Sequence, residues 1–401
     1  MAQWRRAAAA LAVAMVWGAA PGWGAVDLLE RLEQRGVLTA AERQELVAQQ
    51  PPAGPAVADR LSFASRDGRF SGRLYGYGQV RYTFEDRKQA DDLSRFSVQR
   101  VRLGLAGHAL GNNLTYKVYL NVYSGNETST DLFDFYADYA FAPSLAVRAG
   151  AYKVPYGIQW NVSASRLQFV ERTGVDANFR FDRDTGITVH GTLGAGLAYD
   201  AGVFNGEGRN RNNVDDGHLY VGRLLWAPFG GRVFAGQSSL TRPSRPQLFL
   251  SASAAYDDDV SSHTRSNLDG RLEALGTSDV ASVAAFVGLR YRGFSLGAEG
   301  HRRRIDPLDE GAANETAVGY YVQGGALVWR DMVEVAGRYE TFDPDDDRGD
   351  DRTRAYGVAL NLFFAGHRSK LQTDLFHTAT EAGPGSTDTE DRVRVQYQIA
   401  F

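Results

Sequence analysis

The chain closes on Asp391-Arg392-Val393-Arg394-Val395-Gln396-Tyr397-Gln398-Ile399-Ala400-Phe401. In an extended strand successive side chains point to opposite faces. Val393, Val395, Tyr397, Ile399 and Phe401 therefore share one face, and Arg394, Gln396, Gln398 and Ala400 share the other. The apolar face suits lipid and the polar face suits water, which is the pattern of a strand in a membrane β-barrel.

The same alternation recurs upstream. In Arg73 to Glu85, Leu74, Val80, Tyr82 and Phe84 face one way, and Arg73, Gln79, Arg81, Thr83 and Glu85 the other. Leu114, Tyr116, Val118, Leu120 and Val122 alternate with Thr115, Lys117, Tyr119 and Asn121. Phe133, Phe135, Tyr139 and Phe141 are expected on the apolar face, opposite Asp134, Tyr136 and Asp138. Tyr356, Val358, Leu360, Leu362 and Phe364 repeat the pattern near the end.

Soluble sandwiches also alternate. Here the runs are about 9 to 13 residues, the length a tilted strand needs to cross a bilayer. Tyr and Phe gather at strand ends, where an aromatic girdle belongs. The polar faces carry Arg, Lys and Asp, which a dry core would not accept unpaired. Tight turns such as Ala142-Pro143-Ser144 alternate with long polar stretches such as Gln159 to Asp184 and Asn205 to Gly217. Val233 to Ser253 fits the pattern least well. The expected fold is all-β: a transmembrane antiparallel barrel of about 16 strands over residues 61–401, with a short helical N-terminal leader.

That leader has three parts. Arg5, Arg6 and the apolar run Ala7 to Val16 read as a secretory signal peptide over residues 1–24, with Gly22 and Gly24 before the cut. A retained anchor helix is the alternative. Residues 25–50 read as a short helical, coiled-coil-like periplasmic segment, in which Thr39 and Glu42 form a capping box. A mobile leader is the competing reading. Pro51, Pro52, Gly54 and Pro55 mark a linker over residues 51–60. Removing the signal peptide with its two arginines takes the formal charge from −4 to −6, which argues against a nucleic-acid partner. The chain has no cysteine, which excludes disulfides and thiolate sites.

The middle of the chain resembles the phosphate-selective porin family, the O/P-type porins of Gram-negative bacteria. The matching residues run in order: Phe96 with Arg100 and Arg102, Gly150-Ala151-Tyr152-Lys153-Val154-Pro155-Tyr156-Gly157, Phe169 with Glu171-Arg172, Arg183-Asp184-Thr185-Gly186, Phe204-Asn205-Gly206-Glu207-Gly208, and Gly222-Arg223 with Pro228. The closing strand similarly resembles the signal that barrel-assembly machinery reads. The resemblance implies a sixteen-stranded, trimeric porin of the outer membrane, passing small anions such as phosphate.

A pore selects anions by placing fixed positive charge where it is narrowest, and the planar arginine fork suits oxyanions. The stretch Gln159 to Asp184 is the expected constriction, with Arg166, Arg172, Arg180 and Arg183 as anion-binding residues. Acidic Glu171, Asp176, Asp182 and Asp184 lie among them, so local pairing that stiffens the loop is the alternative role. Arg81, Arg100, Arg102, Lys117, Arg148, Arg223, Arg290, Arg338 and Arg394 are expected to line the lumen, opposed by Asp134, Asp138, Glu334 and Glu340. The acidic run Asp343 to Asp351 fails the EF-hand spacing, and no metal or cofactor is expected. Nucleophile-elbow, HExxH and P-loop motifs are absent. The expected function is passive diffusion of small phosphate-like anions. Expected partners are outer-membrane lipid, lipopolysaccharide and two further copies of the chain. A general-diffusion or structural barrel, and an outer-membrane enzyme, are the alternatives.

Overall fold

The computed structural model describes residues 61–125, 130–230, 236–261, 268–309 and 311–401. The expected signal peptide, helical segment and linker lie outside these residues.

After a short strand β1 (Ser62–Ala64), sixteen strands follow: β2 (Ser71–Arg87), β3 (Leu93–Ala109), β4 (Leu114–Tyr123), β5 (Asp131–Ala142), β6 (Leu145–Lys153), β7 (Arg183–Gly194), β8 (Leu197–Phe204), β9 (Leu219–Trp226), β10 (Gln247–Val260), β11 (Ser278–Tyr291), β12 (Phe294–Pro307), β13 (Glu315–Trp329), β14 (Val333–Asp343), β15 (Thr353–Phe363), β16 (Ser369–Glu381) and β17 (Thr387–Ala400). Each pairs antiparallel with its sequence neighbours, and β17 pairs with β2 to close the ring. Ile399 stands opposite Gly78 and Val393 opposite Phe84. Phe401 N–H donates to Gly76 O at 3.0 Å, and Gly76 N–H returns the bond at 3.2 Å. Closure leaves no strand edge to be satisfied in hydrocarbon.

Burial follows the two-residue period. On β2, Gln79, Arg81, Thr83 and Glu85 are buried inside, while Val80 is exposed outside. Bulges break the phase where sequence alternation alone would carry it through. Between Gln79 and Val80 the register with β3 slips by one, so Phe96 and Val98 face out and Arg100 and Arg102 face in. A second slip lies between Tyr119 and Leu120, opposite Asp134 and Leu132. It turns Phe133 inward, where it is buried, contrary to its expected place on the lipid face. Gly150, at φ +132°, runs so close to β5 that a Cβ there would sit 2.1 Å from Phe135 O.

Connections alternate in length around the barrel. One end carries tight turns, such as the two-residue Arg292-Gly293 link, both at positive φ as a type I′ hairpin requires. The other end carries the long connections, including a short helix α1 (Gly174–Phe179) between β6 and β7 and α2 (Asp269–Leu275) between β10 and β11. The exception is the long link from β9 to β10, whose described residues, 227–230 and 236–246, lie at the tight-turn end. Its Gln237, Ser238 and Ser239 are buried. Of the stretch Val233 to Ser253, residues from Gln247 onward belong to β10, and residues 231–235 lie outside the described residues. Phe141, Phe294, Trp329 and Phe401 stay exposed near the tight-turn end and form an aromatic band there.

Orientation of the faces is testable at mid-strand. Val358 on β15 is 55% exposed, whereas its neighbour Ala359 is 4% exposed inside. Val358→Arg should destabilise the protein by about 2–4 kcal/mol in urea unfolding from phospholipid vesicles. A change within about 0.5 kcal/mol, as expected for a water-facing site, would place this face outside the bilayer core.

Candidate functional site

Residues 154–182, between β6 and β7, make the site. The segment is stabilised locally before it meets the barrel. Ser163 caps a single 3-10 turn, Ala164–Arg166. Thr173 Oγ1 accepts from Asp176 N–H at 2.8 Å and caps α1. The apolar residues between these caps cannot face water and have no room on themselves. They are buried against the inward faces of distant strands.

Phe169 packs on Ala336, Ala355, Ala359 and Phe376. Val175 and Phe179 pack on Ala317. Ile158, Val162 and Leu167 pack on Phe249 and Phe286. Small inward residues on β13 to β15 leave the space that the segment fills.

Its backbone polar groups are met by inward polar side chains. Glu299 on β12 accepts from Ile158 N–H at 2.5 Å and Gln159 N–H at 3.0 Å. Asp374 on β16 accepts from Val170 N–H at 3.0 Å. Lys370 donates to Leu167 O at 3.0 Å and Asn361 to Gln168 O at 2.8 Å. Glu334 accepts from the Gln168 side chain and, from the inserted β9–β10 connection, from Ser238 Oγ, each at 2.8 Å. Glu340 accepts from Gly174 N–H at 3.0 Å. Glu334 and Glu340, expected to oppose the arginines, thus bind the segment instead.

The opposite side of the lumen stays open. A cavity of about 1360 Å³ lies between the segment and the wall of β17 and β2 to β7. Twelve arginines and two lysines line it, against three acids, Asp134, Glu171 and Asp182.

The expected residues divide between the two sides. Arg166, Arg172, Arg180 and Arg183 all line the cavity. Arg172 also clamps its own segment, donating to Val162 O at 2.6 Å and Gln159 O at 3.3 Å. Arg180 is the more accessible, with its guanidinium 4.5 Å above the Trp160 ring and 3.6 Å from Asp176. Arg183 pairs with Asp134 at 2.7 Å, and Lys117 pairs with the other oxygen of Asp134 at 2.6 Å. Arg148 holds Asp138 through two nitrogens, at 2.8 and 2.6 Å, and His190 contacts the same carboxylate at 3.0 Å. Arg102 lies over the Phe133 ring at 4.5 Å and donates to Tyr123 O at 2.8 Å.

Arg100 and Arg394 also reach the cavity, Arg394 paired with Asp374 at 2.8 Å. Arg81, Arg223, Arg290 and Arg338 point inward but do not line the open space. Arg338 lies over Phe169 at 4.1 Å and donates to Glu171 O at 3.0 Å. Arg223 pairs with Asp200 at 2.9 Å, and Arg290 lies 5.7 Å from the Phe249 ring centre.

Of the thirteen expected cations, nine pair with six carboxylates: Glu171, Asp134, Asp138, Asp176, Asp200 and Asp374. The site also uses residues that sequence reading passed over. Phe133 and Trp160 supply ring faces on which guanidiniums lie: Arg102 and Arg183 on Phe133, Arg172 and Arg180 on Trp160. Their signal was aromatic residues beside arginines, which by itself also describes a lipid-facing strand.

The chain as a whole is similar to known proteins. A family model described as "Phosphate-selective porin O and P" matches residues 71–401. An uncharacterised protein of Aquifex aeolicus is 23% identical over 92% of this chain and 94% of its own length. Among solved structures, the anion-selective porin from Comamonas acidovorans has a TM-score of 0.58 at 14% identity, covering 83% of this chain and all of that one (100%). The outer membrane channel DcaP of Acinetobacter baumannii has a TM-score of 0.57 at 12% identity, covering 84% of this chain and 99% of that one. At such identities the structures show a shared fold.

Glu171 gives a pH prediction. Burial alone would raise its carboxyl, but Arg100 and Arg81 hold it well below the usual carboxylate range. A depressed folded value contributes stability that is fully present above the unfolded value and lost as pH falls through the folded one. The segment's contact with β2 and β3 should therefore persist below pH of about 4.3, the ordinary glutamate value. In carbon NMR of the barrel labelled at its glutamate side chains, the Glu171 carboxyl, assigned with Glu171→Gln, should remain ionised at that acidity and protonate only under stronger acid. A Glu171 carboxyl that titrates near pH 5 would contradict this pairing.

Proposed function

The chain belongs to the phosphate-selective porin O and P family, and from that premise we propose that this outer-membrane porin passes small oxyanions, phosphate among them, through an off-centre, arginine-lined channel. The observation that carries the reading is the cavity wall, where fourteen basic residues face three acids. A hydrated passage with low-dielectric walls and one sign of charge concentrates counter-ions of the other sign. Segment 154–182 serves as the constriction, because it fills the side of β12 to β16 and confines the free path to the side of β17 and β2 to β7. Arg180, Arg183 and Arg102, which line the cavity beside Trp160 and Phe133, act on the passing anion, and Arg166 acts at the end near the β9–β10 connection. The arginine fork bonds two oxygens of a tetrahedral or carboxylate anion at once. The exposed aliphatic and aromatic residues of the outer wall meet lipid, with lipopolysaccharide in the outer leaflet, and the assembly is a homotrimer.

Reversal potentials in a planar bilayer test the reading. In a salt gradient the potential should take the sign of anion preference. Cation preference, or no conductance, would overturn it. An anion-preferring channel that phosphate does not block would leave a general-diffusion porin. Arg180→Glu changes the local charge by two units on an accessible side chain and should lower the anion-to-cation permeability ratio roughly threefold or more. No change would remove Arg180 from the permeation path.

A further inference from the structure

Glu171 stands out among the lumen carboxylates. It belongs to the segment, yet its side chain reaches back to the opposite, basic wall. Arg100 grips both of its oxygens, at 2.8 and 2.7 Å, and Arg81 donates to one of them at 2.6 Å. The two guanidiniums are themselves positioned by neutral partners. Arg81 also donates to Gln396 at 3.1 and 2.7 Å, and Arg100 to Gln79 at 3.0 Å. Gln79 is tied in turn to Gln398 at 2.8 Å. Arg81 and Arg100 therefore share one carboxylate, and amides rather than further acids fix their geometry. The Glu171 side chain is 23% exposed and borders the open cavity.

We infer that Arg81 and Arg100 form an oxyanion-binding subsite that Glu171 occupies as a tethered internal anion. A carboxylate held by two arginine forks stands where a free carboxylate or phosphate would be held by the same donors. The inference rests on reading the cavity as an anion path and adds to it a competitor built into the chain. Being tethered, Glu171 is present at high effective concentration, so passing anions meet a filled subsite and are not trapped in it. Conduction requires that binding be weak enough to leave, and a filled subsite meets that requirement.

The alternative is that Glu171 only latches the segment. The surrounding contacts separate the two roles. Val170 N–H on Asp374, Leu167 O on Lys370, Gln168 O on Asn361 and Glu171 O on Arg338 all survive loss of the Glu171 carboxylate. Glu171→Gln should empty the subsite while the segment stays docked.

The test is titration calorimetry of inorganic phosphate, and separately acetate, into the detergent-solubilised full barrel, paired with phosphate block of chloride current. Glu171→Gln should bind phosphate about tenfold to a hundredfold more tightly than wild type. It should also show saturable block that wild type lacks at the same concentration. Adding Arg100→Gln should abolish both gains. Equal phosphate affinity in wild type and Glu171→Gln, or a gain that survives Arg100→Gln, would overturn the subsite. Acetate binding alone would narrow the ligand to carboxylates. If Glu171→Gln does not give a heat-modifiable barrel, Glu171→Asp, one methylene shorter, should show a smaller gain in the same direction, and no gain would overturn the subsite. Cation preference of the wild-type current would defeat the channel reading, while the calorimetry would still decide the subsite.

Discussion

The bilayer offers no water to an unpaired backbone group, and the rest of this structure depends on that constraint. A sheet inside it must close, so β17 lies against β2 and the last residue bonds Gly76. Closure divides every strand into an outer face for lipid and an inner face for whatever the barrel encloses. Sixteen strands enclose more space than their own side chains fill. The inner face must then be hydrated, or filled by more chain.

This chain does both. Segment 154–182 brings Phe169, Val175 and Phe179 to alanine-rich patches of β13 to β15. Inserting it also brings backbone donors and acceptors out of bulk water, and these need partners. Glu299, Glu340, Asp374, Asn361 and Lys370 supply them. The inner acids and amides of β12 to β16 are thus engaged in holding the segment. The basic residues of β2 to β7 face the remaining water. An uneven distribution of charge across the lumen follows from hydrogen-bond satisfaction on one side of it.

Much of this was legible in the sequence. The two-residue period, the strand lengths and the alternation of short and long connections gave the barrel, the strand number and the unusual stretch before Asp184. The inward direction of Arg81, Arg100, Arg102 and Arg394 followed from the same period. What was not legible has a physical reason in each case. A bulge leaves no mark in residue type, so Phe133 reads as lipid-facing and is not. The β9–β10 connection has no period, since Gln237 and Ser238 serve contacts with Gln168 and Glu334 that lie far off in sequence. Which arginines face open water depends on where the segment lies, and Arg338 is covered by Phe169 for that reason.

Counting arginines is therefore a poor measure of a pore's charge, and Phe133 beside Asp134 shows why. The bulge on β5 puts both of them inside. Asp134 neutralises Arg183 and Lys117 at 2.7 and 2.6 Å. Phe133 receives Arg102 at 4.5 Å and Arg183 at 4.2 Å on its ring. A ring face orients a guanidinium through its quadrupole and carries no net charge. A cation held by a ring alone, as Arg102 is, keeps its full field for the lumen, whereas one that also meets a carboxylate, as Arg183 does, is partly neutralised. A pore that needs ordered arginines and also needs their charge does best to order them on rings and amides. Arg102, held by the Phe133 ring and the Tyr123 carbonyl, is ordered in that way, whereas Arg180 over Trp160 and Arg100 on Gln79 also meet the carboxylates of Asp176 and Glu171.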